Sequence, residues 1–267
     1  MDEKYVKAIY NGDIIEFYVM DKSPTQFVKK TEIDEEKLQN LDWIYGEIEN
    51  RKESRREQTL RDSKNNLRRL AIRNFKPCET LFITLTYRPE EFLYGHDIDI
   101  ADSHFRSFID TLREESEQHF HYIAVREFTK KGVIHFHMLT DFRIDGDFDD
   151  PEEIDLRRWE RDIALVWSHG FVDIKITNHI DNVGAYLSKY MSKQIGNDFF
   201  FRNKKYYLCS KGLKRPEILT GSIAKDLYNS MIKENEVYTN SYESEYLGQI
   251  TYYEFNLKRF KNNLKII

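Results

Sequence analysis

The sequence predicts an α+β fold on a split β-α-β plan: an antiparallel sheet with helices on one face, flanked by an N-terminal helical and a C-terminal extension. Three observations predict it. Short apolar runs bounded by turn residues occur at Leu81–Tyr87 and at residues 121–129, 133–141 and 171–176, the signature of strands. Between them lie stretches of helical spacing, such as Phe105, Phe108, Ile109 and Leu112 within residues 102–118, and a second at 155–167. The two middle strands are separated only by Lys130, Lys131 and Gly132, so they read as a hairpin. The order is then β-α-β-β-α-β-α, and the open face of the sheet is where chemistry would sit.

The remaining elements follow in order. Residues 1–33 read as a small β element with Ile14, Phe17 and Val19 among its apolar positions. Residues 35–75 read as one long or two shorter helices, rich in charge and closing with Leu67, Leu70 and Ile72. Residues 181–193 have a helical period, with Val183, Leu187 and Met191 at four-residue steps. Residues 199–210 are aromatic and basic and suggest a further hairpin. Past Pro216 come a helix, an acidic linker and a β-rich tail carrying Lys258, Arg259, Lys261 and Lys265. The expected division is an N-terminal β element and basic helix at 1–76, a central domain at 77–216 and a C-terminal extension at 217–267. No internal repeat is visible.

Composition narrows the class. No apolar run approaches the roughly 18 residues a membrane span needs, and the start lacks the basic-then-apolar layout of a signal peptide. Cys78 and Cys209 form neither a ligand cluster nor a disulfide framework, so a reducing cytoplasm, that of a bacterial host cell, is expected. A glycine-rich phosphate loop is absent, which argues against an ATPase or helicase domain. Net charge is −5, yet it is uneven: from Arg51 to Lys76 ten basic residues face only three acidic ones. Local patches, not net charge, decide where phosphates bind. Arg55, Arg56, Arg61, Lys64, Arg68, Arg69 and Arg73 are therefore candidate DNA contacts, as are Lys211, Lys214 and Arg215 after the expected hairpin. A solvated helix face is the plain alternative.

Two motifs carry chemistry. His135-Phe136-His137 sits in the apolar run 132–140, and alternate strand residues share a face, so both imidazoles project side by side. At that spacing they can share one divalent metal; a pair of hydrogen-bonded core histidines is the alternative. Downstream, Tyr186 and Tyr190 lie four apart on one helical face. Lys189 and Lys193 each follow a tyrosine by three positions. A phenol, with an ordinary pKa of about 10, becomes a useful nucleophile where a cation or metal-polarised phosphate lowers the barrier.

A buried His-hydrophobic-His strand, followed about fifty residues later by a Tyr-x-x-x-Tyr helix, resembles the HUH endonucleases. More narrowly it is similar to the two-tyrosine rolling-circle replication initiator (Rep) proteins of phages and plasmids. Three further stretches agree. Residues 81–87 resemble the family's first motif, residues 122–127 the strand supplying a third ligand, and residues 167–175 the approach to the tyrosine helix. The resemblance covers about residues 80–216 and implies an RRM-like (HUH) sheet. It implies site-specific nicking and joining of single-stranded DNA at a replication origin, alone or folded into a hairpin, with host helicase and polymerase as further partners. A tyrosine would attack phosphorus, leaving a 5′-phosphotyrosine link and a free 3′-OH.

On that resemblance Tyr186, Tyr190, Lys189 and Lys193 are the expected catalytic groups. His135, His137 and Glu127 are the expected ligands of Mg²⁺ or Mn²⁺, a carboxylate suiting either ion. Glu127 lies on the partner strand of the hairpin, where the turn brings it beside the histidines. Arg126 and Glu127 alternate, so only one of them faces the metal. Thr84 and Thr86 share a strand face and are weaker candidates. His169 reads as a helix-end residue, and His119 and His121 as solvent-facing. A relaxase or transposase would share the histidine pair. A non-catalytic RNA- or DNA-binding module would use the same plan with stacking aromatics on its central strands, where Thr84, Glu127 and the histidines stand instead. A metallohydrolase would need further ligands.

Overall fold

The computed structural model describes residues 4–24, 41–145, 154–192, 204–231 and 236–259. In chain order the elements begin with β1 (Tyr5–Tyr10), β2 (Ile14–Met20), α1 (Leu41–Asn74), β3 (Leu81–Tyr87), a single turn α2 (Phe92–Gly95) and α3 (Ile98–Ser116). Next come β4 (Tyr122–Phe128), β5 (Ile134–Thr140), α4 (Leu156–Trp167), β6 (Gly170–Ile176) and α5 (Val183–Ser192). The remainder is β7 (Tyr207–Cys209), β8 (Glu217–Thr220), α6 (Gly221–Ser230), β9 (Glu236–Ser244) and β10 (Gly248–Asn256). The chain forms two compact units, residues 60–214 and residues 1–59 with 215–267.

In the first of these units five antiparallel strands run in the order β6-β3-β5-β4-β7. The expected α+β plan is present. Helix α3 starts where the Asp97 carboxylate accepts from the amides of Asp99 and Ile100, and α4 where Asp155 accepts from Arg158. Such caps satisfy amides that have no partner inside the helix. The apolar stripe of α3 (Phe105, Phe108, Ile109, Leu112) and Trp167 of α4 cover Leu81, Ile83, Leu85 and Tyr87 of β3 and Phe136 of β5. Each such side chain, fully buried, contributes about 1.5–3 kcal/mol.

Helices were expected on one face only, and here the structure differs. The opposite face is partly roofed by Leu67, Ala71 and Phe75 of α1 and by Val183, Leu187 and Met191 of α5, resting on Phe82, Ile123, Val125 and Leu139. The physical reason is that the central strands are apolar on both faces, and each helix carries a stripe at four-residue steps that has to be buried. Residues from Leu60 onward accordingly belong with this unit, rather than the boundary falling at residue 77. Gly184 permits the roof: a Cβ there would stand 2.3 Å from the Arg68 carbonyl oxygen, so only glycine lets α5 come this close to α1.

The other unit holds a second sheet, β8-β1-β2-β10-β9, also antiparallel. Residues expected as two separate extensions therefore form one layer. The β1–β2 hairpin alone would leave two open edges, and β8 and β10 close them. Helix α6 covers one face, where Ala224, Leu227 and Tyr228 meet Ala8, Phe17 and Phe255. The expected hairpin at 199–210 is described only from residue 204, where β7 is an edge strand on β4. Among the described residues no helix is long and apolar enough to cross a membrane.

Candidate active site

Strand register sets the site. In β5, β4 and β3 the pairs are Glu127 with His135, Val125 with His137, Thr84 with His137, and Thr86 with His135. Cross-strand partners share a face. The alternating positions Phe136, Met138 and Ala124 point into the α3–α4 core, so both histidines, Glu127, Thr84 and Thr86 lie on the face that carries α5. Arg126 points the other way. It is buried, with Nε and Nη2 donating to the two Asp102 carboxylate oxygens at 2.5 and 2.6 Å and Nη1 donating to the Lys205 carbonyl at 2.9 Å.

His137 is buried and engaged at both ring nitrogens. Nε2 lies 2.6 Å from Glu127 Oε2 and Nδ1 lies 3.2 Å from the Thr84 hydroxyl. A neutral imidazole satisfies both contacts, with Nε2–H donating to the carboxylate and Nδ1 accepting from Thr84. His135 is half-buried, its ring centre 6.5 Å from that of His137. Burial lowers its pKa below the ordinary imidazole value, and the Glu127 charge opposes that.

Helix α5 starts at Asn182, whose side chain accepts from the Ala185 amide at 2.8 Å and whose carbonyl accepts from the Tyr186 amide at 3.0 Å. With Val183, Leu187 and Met191 held in the core, Tyr186 and Tyr190 turn toward the histidine face. The Tyr190 ring lies 3.8 Å from the His137 ring, centre to centre, tilted by 30°. Tyr186 stands edge-on to Phe82 at 4.9 Å, and Phe82 also borders Tyr190 at 5.4 Å. The Tyr190 hydroxyl donates to that of Tyr186 at 3.4 Å. Burial raises the Tyr190 pKa strongly, helped by the hydrogen bond to Tyr186 and by the negative charges of Glu127 and Asp173. Lys189 is exposed, with Nζ 5.8 Å from the centre of the Tyr186 ring.

The structure thus gathers His135, His137, Glu127, Tyr186, Tyr190 and Lys189, while Lys193 lies outside the described residues. The donor set suits a divalent ion, two imidazoles and a carboxylate on one face, with a proton shared between His137 and Glu127 where a cation would go. Among the described residues no three His, Cys, Asp or Glu side chains converge as they stand, so the Glu127–His137 contact has to open first. Arg61 is exposed, and Lys64, Arg68, Arg69 and Arg73 are half-buried along α1. Lys211 and Lys214 are exposed, and reciprocal hydrogen bonds of 2.7 and 2.8 Å tie the Lys214 backbone to Asn74. Arg55, Arg56 and Arg215 are exposed and belong to the other unit.

Several residues escaped the sequence reading. Asp173 pairs with Thr84 and Phe171 with Thr86, so both share the histidine face. The signal was there, since Phe171 to Ile176 alternates outward Phe, Asp and Lys with inward Val, Ile and Ile. His169 is more than a helix-end residue: its ring stacks on His104 at 3.8 Å, and Nδ1 lies 3.5 Å from Glu91. His121 is not simply solvent-facing either, pairing with Asp141 at 3.1 Å. Both partners are remote in sequence, so spacing gives no hint of them.

Residues 80–195 match the family model of the replication-associated protein ORF2 type. No curated protein matches the sequence. Among solved structures, the N-terminal nuclease domain of minute virus of mice non-structural protein 1 aligns with 64% of this chain and 81% of its own, at 11% identity and a TM-score of 0.25. That domain is described as having a unique Zn²⁺ coordination in its active-site pocket and a novel mode of DNA recognition at the origin of replication. So distant a likeness carries no inference here. With its strand pair and tyrosine helix inside the matched segment, the chain carries across residues 80–195 a Rep-type HUH domain of the ORF2-type replication-associated protein family.

Proposed function

We propose that this protein initiates rolling-circle replication by nicking and rejoining single-stranded DNA at an origin through a tyrosine nucleophile. The observation that carries the reading is the Tyr190 ring resting 3.8 Å from the His137 ring. It unites two motifs that lie far apart in the chain. His135, His137 and Glu127 would hold a divalent ion, Mg²⁺ or Mn²⁺. When bound, that ion polarises a non-bridging oxygen of the scissile phosphate.

The chain's own groups do the rest. Tyr186 or Tyr190 gives its phenolic oxygen to phosphorus and releases the phenol proton, while the phosphorus–O3′ bond breaks and the departing oxygen takes up a proton as the 3′-OH. The raised pKa of Tyr190 keeps that phenol protonated, and so inert, until a phosphate arrives. Lys189 lies where an ammonium can offset phosphate charge near Tyr186, and Lys193 is assigned a similar role. Because the phosphotyrosine conserves the energy of the diester, the 3′-OH can later reverse the step. A second tyrosine on the same helix face allows one strand end to be held while another is cut. Exposed cations along α1 (Arg55, Arg56, Arg61) and at Lys211, Lys214 and Arg215 would guide the DNA backbone. Host helicase and polymerase would act next, in the bacterial cytoplasm.

The test is single-stranded origin DNA incubated with the protein and Mn²⁺ or EDTA, then resolved on denaturing gels. A metal-dependent, SDS-stable protein–DNA band is expected, lost in the Tyr186→Phe, Tyr190→Phe double variant and reduced together with Mn²⁺ affinity in His137→Ala. Binding without any covalent band across tiled origin DNA would instead favour a non-catalytic nucleic-acid module.

A further inference from the structure

Strand β6 is an edge strand, paired only with β3 among the described residues. Val172, Ile174 and Ile176 face the α3–α4 core, which sends Phe171, Asp173 and Lys175 to the opposite face. Asp173 and Lys175 pair with each other at 3.4 Å. Phe171 is left 64% exposed, a large apolar ring facing solvent on a polar stretch of sheet. Its position follows from Gly170. A Cβ there would lie 2.1 Å from the Thr86 carbonyl oxygen, so glycine lets β6 begin flush against the end of β3, with Phe171 directly opposite Thr86.

The register then makes a single row across the sheet: Phe171 on β6, Thr86 on β3, His135 on β5 and Glu127 on β4. Two interstrand steps separate Phe171 from His135, about 9–10 Å along the row. That distance is of the order of one or two nucleotides, and the intervening Thr86 is too small to block a strand lying across the face.

Resting on the proposed function, we infer that Phe171 is a stacking platform for an unpaired base flanking the phosphate held at His135, His137 and Glu127. Every base has an apolar π-face, and an exposed phenyl ring beside a phosphate site can receive one without reading its sequence. Stacking would hold the strand in line with the tyrosines, which makes Phe171 a positioning residue. A second copy of the chain is a poorer occupant. A lone ring beside a charged Asp173–Lys175 pair lacks the continuous apolar patch that a protein interface uses.

The test measures binding and cleavage separately, on the full chain, with oligonucleotides spanning the nick site and a single abasic nucleotide walked through successive flanking positions. Fluorescence anisotropy gives Kd, and covalent adduct at saturating DNA gives the rate. Phe171→Ala is expected to raise Kd and KM by about 5- to 100-fold with little change in the saturated rate, and Phe171→Tyr to restore binding. One abasic position should weaken wild-type binding to the same degree and add nothing in Phe171→Ala. Wild-type affinity in Phe171→Ala, or additive losses at every abasic position, would overturn the inference. Absence of adduct with wild type would instead refute the proposed function, while the binding arm still decides the stacking.

Discussion

Replacing Gly184 by alanine tests whether the tyrosine helix sits where it does because of one missing methyl group. The new Cβ would meet the Arg68 carbonyl oxygen at 2.3 Å and Ile72 Cγ1 at 2.9 Å, against an ordinary contact of 3.4 Å or more. The nearer obstacle is backbone, so α5 has to retreat from α1 by about 1 Å. Overpacking of this kind costs about 1–3 kcal/mol. Alanine's better helix propensity returns about 1 kcal/mol, leaving a net loss of about 0–2 kcal/mol in urea unfolding. Function should suffer more than stability. Tyr186 and Tyr190 ride on the displaced helix, and a misplacement of about 1 Å at a reacting group can cost about 100-fold in rate. The assay is covalent adduct formation at saturating DNA alongside urea melts and DNA affinity. A variant stabilised by about 1 kcal/mol that cleaves at the wild-type rate would refute the argument, because the close approach would then place no constraint on the tyrosines.

Three further outcomes are expected. Arg126→Ala strands the buried Asp102 carboxylate and should cost about 3–5 kcal/mol in denaturant unfolding, while Arg126→Met combined with Asp102→Leu should recover most of it. Failure of the double variant to recover would mean the pair's packing, not its charge, holds β4 to α3. Burial first, and the His169 charge second, lower the pKa of His104, with Glu91 opposing. Because the folded value is the depressed one, this contribution to stability is complete above about 6.5, the unfolded value, and is lost as pH falls from there toward the folded value. Thermal melts between pH 7 and 5 should therefore show a decline that His104→Gln flattens, and an equal slope in the variant would remove the assignment. Neutralising Arg55, Arg56 and Arg61 together should lower the salt slope of single-stranded DNA binding by about 2, whereas an unchanged slope would make that helix face a solvated surface only.

Much of the central unit was legible because its signals are local. The strand at Leu81–Tyr87 has the expected bounds, and the hairpin follows from two alternating apolar runs around a glycine-containing turn. The division of the chain was less legible. Which strand pairs with β1 and β2 depends on residues more than two hundred positions away, and edge-to-edge pairing leaves no periodic mark. Helix α1 looked like a solvated charged helix because its apolar positions are diluted among basic ones. Only the sheet face it covers gives Leu67, Ala71 and Phe75 a meaning.

The sequence by itself determined the chemistry on offer: two imidazoles on one strand face, a carboxylate one hairpin turn away and two phenols four apart on a helix. Period-two and period-3.6 geometry fix those relations wherever the elements end up. Tertiary structure alone decided that the phenols meet the imidazoles. That depends on α5 crossing the sheet at the distance Gly184 allows, with Tyr190 lying on His137 and Phe82 beneath both tyrosines. It also decided that Arg126 turns inward to Asp102 while Glu127 turns outward, and that Phe171 lies in the row of His135. Those are matters of packing and register between distant segments, which no local pattern encodes.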